Sequence, residues 1–368
     1  MNILFSVPRI HTNYTAMIKG LISNGHKVSF ITMNSEKLNN PYNLEVNTHY
    51  FAPRSRPYFP SGHTKLFHFE SFRALKSVIE MEAPDLIIVR DLMMLNIQIG
   101  LIAKFLKIPV LFYDQADPVV HESLKRRVWY AIVRLFISKY RMTTAKRITS
   151  DTDIPGNIFF IPFSVPYTKI KQTYKTHIDS SNPLKIIVVS KLGQKRKNLL
   201  FLLEALLPLF KQDKIRLSLY GMLRSTQTSK QNFTRLQNYI KTHNLISKID
   251  LHPNEKYETV LNAYADHDLF VLPSFNELAS ISPFEAMSSG LPVIVTNQNG
   301  TNYIIEENVN GFIFDPDDKS ELFLKINYFI DSPDKLCQFG LAALNTINDH
   351  YRPKHFSKNL EKIIYQNL

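Results

Sequence analysis

A single cysteine, Cys337, stands among the 368 residues, so one chain can build neither a disulfide nor a thiolate metal cluster, and a reducing compartment, the cytoplasm, is the expected setting. No run approaches the roughly 20 uninterrupted apolar residues that span a bilayer, so any membrane contact is expected to be peripheral, on the inner face of the plasma membrane. The apolar run Met1 to Val7 is too short for a signal-peptide core, lacks a basic leader, and reads as a first β-strand. No Gly-x-Gly-x-x-Gly follows it; Pro8-Arg9-Ile10-His11-Thr12-Asn13 stands there instead, which argues against a dinucleotide oxidoreductase. Low-complexity tracts and internal repeats are missing too. Acidic residues are scarce beside basic ones, 32 against 44, for a net charge of +12. No helix-turn-helix, zinc or RNP motif accompanies that charge, so nucleic-acid binding rests on charge alone and is not expected.

What is present is alternation. The length points to two domains. Ile3 to Val7 is apolar, Tyr14 to Ser23 has helical spacing, and Val28 to Thr32 is apolar again, a βαβ unit. Phe72 to Glu80 (helix), Asp85 to Arg90 (strand), Leu95 to Leu106 (helix) and Val110 to Tyr113 (strand) repeat the pattern. A second series starts with the strand Lys185 to Val189 and runs through the helix Leu199 to Phe210, the strand Arg216 to Tyr220 ending at Gly221, and the helix Thr234 to Thr242. The strand Asp250 to His252, the helix Tyr257 to Tyr264, the strand Leu269 to Leu272, the helix Pro283 to Ser289 and the strand Val293 to Val295 follow. The expected fold is α/β, two tandem Rossmann-like doubly wound domains facing across a cleft: residues 1–165, a linker at 166–183, residues 184–350, and a C-terminal helix in 351–368 that crosses back to the first domain.

Most of the positive charge lies in front. Residues 1–165 carry 20 Lys and Arg against 12 Asp and Glu. The densest stretch is 121–147, with Lys125, Arg126, Arg127, Arg134, Lys139, Arg141, Lys146 and Arg147 against Glu122 alone. Read as one helix from Leu124 to Arg141, it puts Arg127, Arg134 and Arg141 on one stripe, Trp129, Val133, Phe136 and Tyr140 on another, and Leu124, Val128, Ile132 and Leu135 on a third. An apolar arc that wide fits either a core helix with a solvated basic face or an anionic membrane surface met by the arginines, with a slight lean to the membrane.

The most informative stretch is Pro273 to Ile294, PSFNELASISPFEAMSSGLPVI. A buried strand ends, a loop carries Glu277, and a helix opening near Pro283 carries Glu285 in its first turn. The loop entering that helix, Ser280, Ile281 and Ser282, presents backbone N–H groups that suit a phosphate. Taken alone, Glu285 would merely complement its helix dipole and Glu277 would be a solvated loop residue. The context of a strand end in a second Rossmann-like domain, followed by Ser289-Gly290-Leu291-Pro292 into the next strand, favours a site.

This stretch resembles the family 4 retaining glycosyltransferases, in which Glu, seven residues and Glu precede Ala-Met-x-x-Gly-x-Pro-Val-Ile. Glu277, Glu285, Ala286, Met287, Gly290, Pro292, Val293 and Ile294 fall on that pattern, as do Leu272-Pro273-Ser274 and Asn310-Gly311. The resemblance implies the GT-B fold, retention of anomeric configuration, contact of Glu277 with the donor sugar and of Glu285 with the ribose. Lys191 and Lys197 resemble the family's basic pair that grips the donor diphosphate as it leaves, beside Asn198; Gly221, Ser280, Ile281 and Ser282 are counted with the donor side. The donor is expected to be a nucleoside diphosphate sugar, by frequency a uridine one, the acceptor a saccharide or glycolipid, and no metal or cofactor is implied for the transfer.

The resemblance is strong from about Ile186 to Phe314 and only architectural before Pro162. The family's paired glycines after the first strand are absent, and Leu278-Ala279-Ser280 stands where Gly-Phe is common. Ile108 to Pro118 lacks the family's mid-domain His, whose slot falls to Gln115 or Ala116. Acceptor-side candidates are therefore His11, Asp114 and Asp117. Asp151-Thr152-Asp153 resembles a metal-binding Asp-x-Asp but does not end an apolar strand, and no metal role is expected there. A catalytically inactive partner that binds a sugar nucleotide, and a sugar-nucleotide epimerase of the same fold, stay open beside the transferase.

Overall fold

A computed structural model describes residues 1–8, 10, 12–33, 46–51, 69–91, 94–115, 124–146 and 156–367, with the backbone alone at 124–127. The chain divides into two compact units; among these residues the first comprises 1–146, 156–164 and 352–367, the second 165–351.

The first unit runs β1 (Asn2–Val7), α1 (Tyr14–Ser23), β2 (Lys27–Thr32), β3 (Asn47–Tyr50), α2 (Phe72–Glu82), β4 (Leu86–Arg90), α3 (Met94–Leu106), β5 (Val110–Asp114), α4 (Leu124–Phe136), β6 (Arg141–Thr143) and β7 (Ile158–Phe160). Its seven strands lie in the order β3-β2-β1-β4-β5-β6-β7, all neighbours parallel. Near-continuous apolar runs such as Leu86 to Val89 suit strands covered on both faces, and Leu4, Ile87, Val89 and Phe112 are buried in the core. The order reverses between β1 and β4, whose carboxyl ends mark the switch point where open α/β sheets take ligands.

The expected helix Leu124 to Arg141 is shorter than its periodicity. It stops at Phe136, because Ile137 enters the core, the Ser138 hydroxyl bonds the Val110 carbonyl, and the chain turns to pair with β5. Arg141 opens β6, buried, its guanidinium 4.0 Å from the Tyr130 ring centre. The expected stripe of three arginines on one helix does not exist. Val133 is also buried, so the core consumes part of the apolar arc, while Val128, Leu135 and Phe136 stay exposed.

The second unit runs β8 (Leu184–Val189), α5 (Leu199–Lys211), β9 (Ile215–Gly221), α6 (Gln227–Thr242), β10 (Ile249–Pro253), α7 (Tyr257–Tyr264), β11 (Leu269–Leu272), α8 (Ser282–Ser288), β12 (Val293–Thr296), β13 (Gly311–Phe314), α9 (Lys319–Asp331) and α10 (Asp334–His350). The six strands are parallel in the order β10-β9-β8-β11-β12-β13, reversing between β8 and β11. Residues 166–183, read from the sequence as a linker, form no helix or strand and lie on this unit. There Lys171 pairs with Asp268 at 3.0 Å, and the Tyr174 hydroxyl donates to the Gly290 carbonyl at 2.8 Å.

The last helix, α11 (Pro353–Asn367), belongs to the first unit and packs on α1. Gly20 permits the approach, since a Cβ there would lie 2.2 Å from the Pro353 carbonyl oxygen. His26 Nε2, in the turn after α1, lies 2.7 Å from Glu361 Oε1 on α11.

Candidate active site

The carboxyl ends of β8, β11 and β12 gather the chemistry of the second unit. After β8 the chain passes Ser190 and Lys191 into a tight turn at 195–197, closed by Asn198 in the left-handed region (φ 55°), which hands the backbone to α5. The Asn198 amide donates to the Pro316 carbonyl at 3.2 Å, so its observed role is to seat this turn. Phe275 N bonds the Arg196 carbonyl at 3.0 Å, tying the turn to the loop after β11.

That loop is held from both sides. Glu277 N donates to the Gln298 carbonyl (3.2 Å), and Gly300 N donates to the Glu277 carbonyl (2.9 Å). With its backbone fixed, the Glu277 side chain meets two cations: the Lys197 ammonium donates to Oε2, and Arg196 Nη1 lies 2.9 Å from the same oxygen. Lys197 and Glu277 are both buried. Burial lowers the Lys197 pKa from its ordinary value, and Glu277 opposes that shift.

Glu285 sits in the first turn of α8, as the sequence placed it, but it is not a solvated dipole partner. It is fully buried and accepts hydrogen bonds from the hydroxyls of Tyr257 (2.7 Å) and Tyr264 (3.0 Å). Burial raises its pKa and the two phenols work against the rise, while burial beside Glu285 pushes the Tyr264 phenol well up. Both tyrosines come from α7, seven positions apart and so on one face of that helix.

Ser280 Oγ and Ser282 Oγ lie 2.9 Å apart, and the Ser280 carbonyl accepts from the Thr301 hydroxyl (3.1 Å). Ile281 is the residue before α8. Gly221 closes β9 with φ +147°, and a Cβ there would fall 1.6 Å from the Ser190 carbonyl oxygen, so only glycine fits beside the β8 end. Among the described residues, buried polar atoms around these strand ends without a hydrogen-bond partner include Ser190 Oγ, Gln194 Oε1, Ser274 Oγ, Asn297 Oδ1 and Asn299 Nδ2. Buried polar groups ordinarily find partners, and a cluster that does not is the signature of a site completed by something else.

In the first unit Asp114 ends β5 and accepts from the Tyr130 hydroxyl. His11 and Asp117 lie outside the described residues, as do Asp151 and Asp153. Sequence reasoning missed Arg196, Tyr257 and Tyr264. Arg196 was visible only as the middle of a Lys-Arg-Lys run, and the tyrosines only as a seven-residue repeat on an otherwise ordinary helix.

Residues 170–345 match the family described as glycosyl transferases group 1. The second unit belongs to the group 1 glycosyl transferases. Lys191, Lys197, Glu277 and Glu285 all lie within the residues matched by this glycosyl transferase family. A sucrose synthase of Melioribacter roseus is 34% identical over 136 residues, 32% of this chain and 17% of that protein. The curated relatives are matched over only 12% to 42% of their own length. The whole chain is similar in fold to a glycosyltransferase from Rickettsia africae, with TM-score 0.74, 18% identity, and 100% of this chain and 99% of that one covered. It is equally similar to Anabaena HepE, solved in complex with UDP-glucose, with TM-score 0.74, 15% identity and 99% of both chains covered. The fold is thus that of two-domain GT-B glycosyltransferases. Among the described residues no helix is long and apolar enough to cross a membrane.

Proposed function

We propose that the protein is a retaining glycosyltransferase that moves a sugar from a nucleoside diphosphate donor, a uridine one by preference, to a saccharide or glycolipid acceptor in cell-surface polysaccharide assembly. The observation that carries the reading is the buried Lys197–Glu277 pair with Arg196 on the same oxygen, at the strand ends of a glycosyl transferase domain. In the reaction the bond from the anomeric carbon to the diphosphate oxygen breaks, and its electron pair stays on that oxygen. Lys197, with Lys191 and Arg196, stabilises the charge that develops there, an effect worth about 3 kcal/mol per fixed donor in a dry site. Released from Lys197, Glu277 accepts from donor-sugar hydroxyls, Glu285 from the ribose, and the amides around Ser280 to Ser282 face phosphate. The acceptor hydroxyl forms the new bond to the anomeric carbon and gives up its proton to the departing diphosphate oxygen, which leaves as the nucleoside diphosphate. The UDP-glucose complex of HepE supports a nucleotide-sugar donor. Asp114 and, outside the described residues, His11 and Asp117 are the acceptor-side candidates of the first unit.

The reading also gives the first unit a peripheral contact with an anionic membrane. Exposed Leu101 and Phe105 on α3 and Val128 and Leu135 on α4 adjoin a pocket of about 510 Å³ lined by Lys104, Lys107, Arg134 and Lys139, with no carboxylate among its lining residues. Incubation with nucleotide sugars and candidate acceptors, followed by NMR of the anomeric proton of the product, tests the activity. Retention with acceptor-dependent release of nucleoside diphosphate supports it. An altered sugar on the same nucleotide identifies an epimerase, and donor affinity without turnover an inactive partner.

A further inference from the structure

Arg90 ends β4, beside the reversal of strand order in the first unit. Its guanidinium donates through Nη1 to the Tyr14 hydroxyl (2.9 Å) and through Nη2 to Gln115 Oε1 (2.8 Å). Gln115 Nε2 in turn donates to the Tyr113 hydroxyl at 3.2 Å. The rings of Tyr14 and Tyr113 flank the guanidinium, their centres 5.5 and 5.4 Å away. Three strand ends meet here, since Tyr14 follows β1, Arg90 closes β4, and Tyr113 and Gln115 mark the end of β5.

Among the described residues every hydrogen-bond partner of this arginine is neutral. Burial raises the pKa of both phenols, so neither supplies a negative charge. Asp91, next in the chain, is exposed and adds a favourable charge to the guanidinium, while among the described residues no close ion pair includes Arg90. A partly buried arginine at the ligand-binding edge, hydrogen-bonded to neutral groups and offset among the described residues by the exposed Asp91, is placed to take an anion that arrives later. The guanidinium has five N–H donors, of which two protein bonds use one each, and its rigid fork matches a two-oxygen anion. Gln115 is one of the two residues, with Ala116, to which the slot of the resembling family's histidine falls. Here Gln115 orients an arginine that cannot lose its proton, in place of a titrating imidazole.

We propose that Arg90 receives an oxyanion carried by the acceptor, a phosphate or a carboxylate, with Tyr14 and Gln115 as positioning residues; the acceptor is therefore anionic. This rests on the transferase reading for the word acceptor, but the anion site stands on its own geometry. Titration calorimetry at saturating UDP, which occupies the donor phosphate site, tests it with glycerol 3-phosphate and glucuronate as anionic probes and glycerol and glucose as uncharged counterparts. The wild type is expected to bind one anionic probe and neither uncharged one. Glycerol 3-phosphate binding assigns a phosphate, and glucuronate binding a carboxylate. Arg90→Gln is expected to abolish that binding, and Arg90→Lys, which keeps the charge and loses the fork, to weaken it at least tenfold, with UDP affinity unchanged in both. Equal binding of charged and uncharged probes, no binding of either anion by folded wild type, or undiminished binding by Arg90→Lys overturns the proposal. Failure of UDP to bind counts against the donor reading, and in that case Arg90-dependent anion binding still sustains this site.

Discussion

Lys197 donates a hydrogen bond to a Glu277 carboxylate oxygen that also lies 2.9 Å from Arg196 Nη1, and both members of the Lys197–Glu277 pair are buried. Without donor, the cation that is to hold a phosphate is therefore held by a carboxylate. In the proposed reaction an arriving diphosphate takes Lys197 over, and Glu277 is released toward the sugar in the same event. This exchange couples recognition of the sugar to stabilisation of the leaving group.

A buried pair broken on one side leaves an uncompensated charge. Lys197→Met is expected to lower stability by about 3 kcal/mol in urea unfolding, the scale for removing one partner of a buried ion pair, with Arg196 softening the loss. Lys197→Met with Glu277→Leu should regain most of that stability yet remain inactive. A stability-neutral single variant would mean that the two side chains are not coupled in solution.

If Glu285 holds the donor ribose as proposed, it sets the acid limb of donor binding. Its pKa is raised by burial, so on acidification it takes up a proton before an ordinary glutamate does, and its carboxylate is lost as a ribose acceptor. Nucleoside diphosphate affinity should therefore fall with pH at a midpoint above the ordinary glutamate value. In Glu285→Gln the affinity should be weaker at neutral pH and flat across that range. The linkage to stability has the opposite sign. A carboxyl with a raised folded pKa contributes stability present below its unfolded pKa and lost as pH rises through the folded one, so acidification to that range should not unfold the protein through Glu285. Calorimetric titration at a series of pH values, with circular dichroism on the same samples, separates the two effects.

Gly221→Ala puts a methyl group 1.6 Å from the Ser190 carbonyl at a φ that L-residues avoid. Relief requires β8 and β9 to part where the site is built. The expected loss exceeds about 2 kcal/mol by thermal unfolding, accompanied by weaker donor binding.

The proposed membrane contact turns on charge at the α3 and α4 surface. Lys104→Glu with Arg134→Glu should abolish sedimentation with phosphatidylglycerol vesicles while leaving transfer to a soluble acceptor intact. Unchanged sedimentation would retire the membrane reading.

The legible parts of this chain were those where one local rule dominates. Both βα series were readable because parallel strands buried on two faces are continuous apolar runs, and the spacing of Glu277 and Glu285 was readable as a motif. The end of α4 was not, because Tyr140 and Arg141 continue a helical period by coincidence, and only pairing with β5 turns them into a strand. Short strands such as Asn47–Tyr50 and Ile158–Phe160 carry too few residues to show a period. The companions of the site, Arg196 on Glu277 and Tyr257 and Tyr264 on Glu285, were hidden because these contacts join positions 21 to 81 residues apart. The place of Arg90 between Tyr14 and Tyr113 is likewise a product of strand order, which no window of sequence contains.

The measurement that bears most directly on the central claim is thermal unfolding of wild type and Lys197→Met against a panel of nucleoside diphosphates and nucleotide sugars. A ligand that binds only the folded state stabilises it by about 2.7 kcal/mol at a hundredfold excess over Kd. The account predicts a rise in Tm selective for one base, uridine before the others, and a much smaller rise in the variant. No rise with any nucleotide in a demonstrably folded wild type, or equal rises in both proteins, would contradict it.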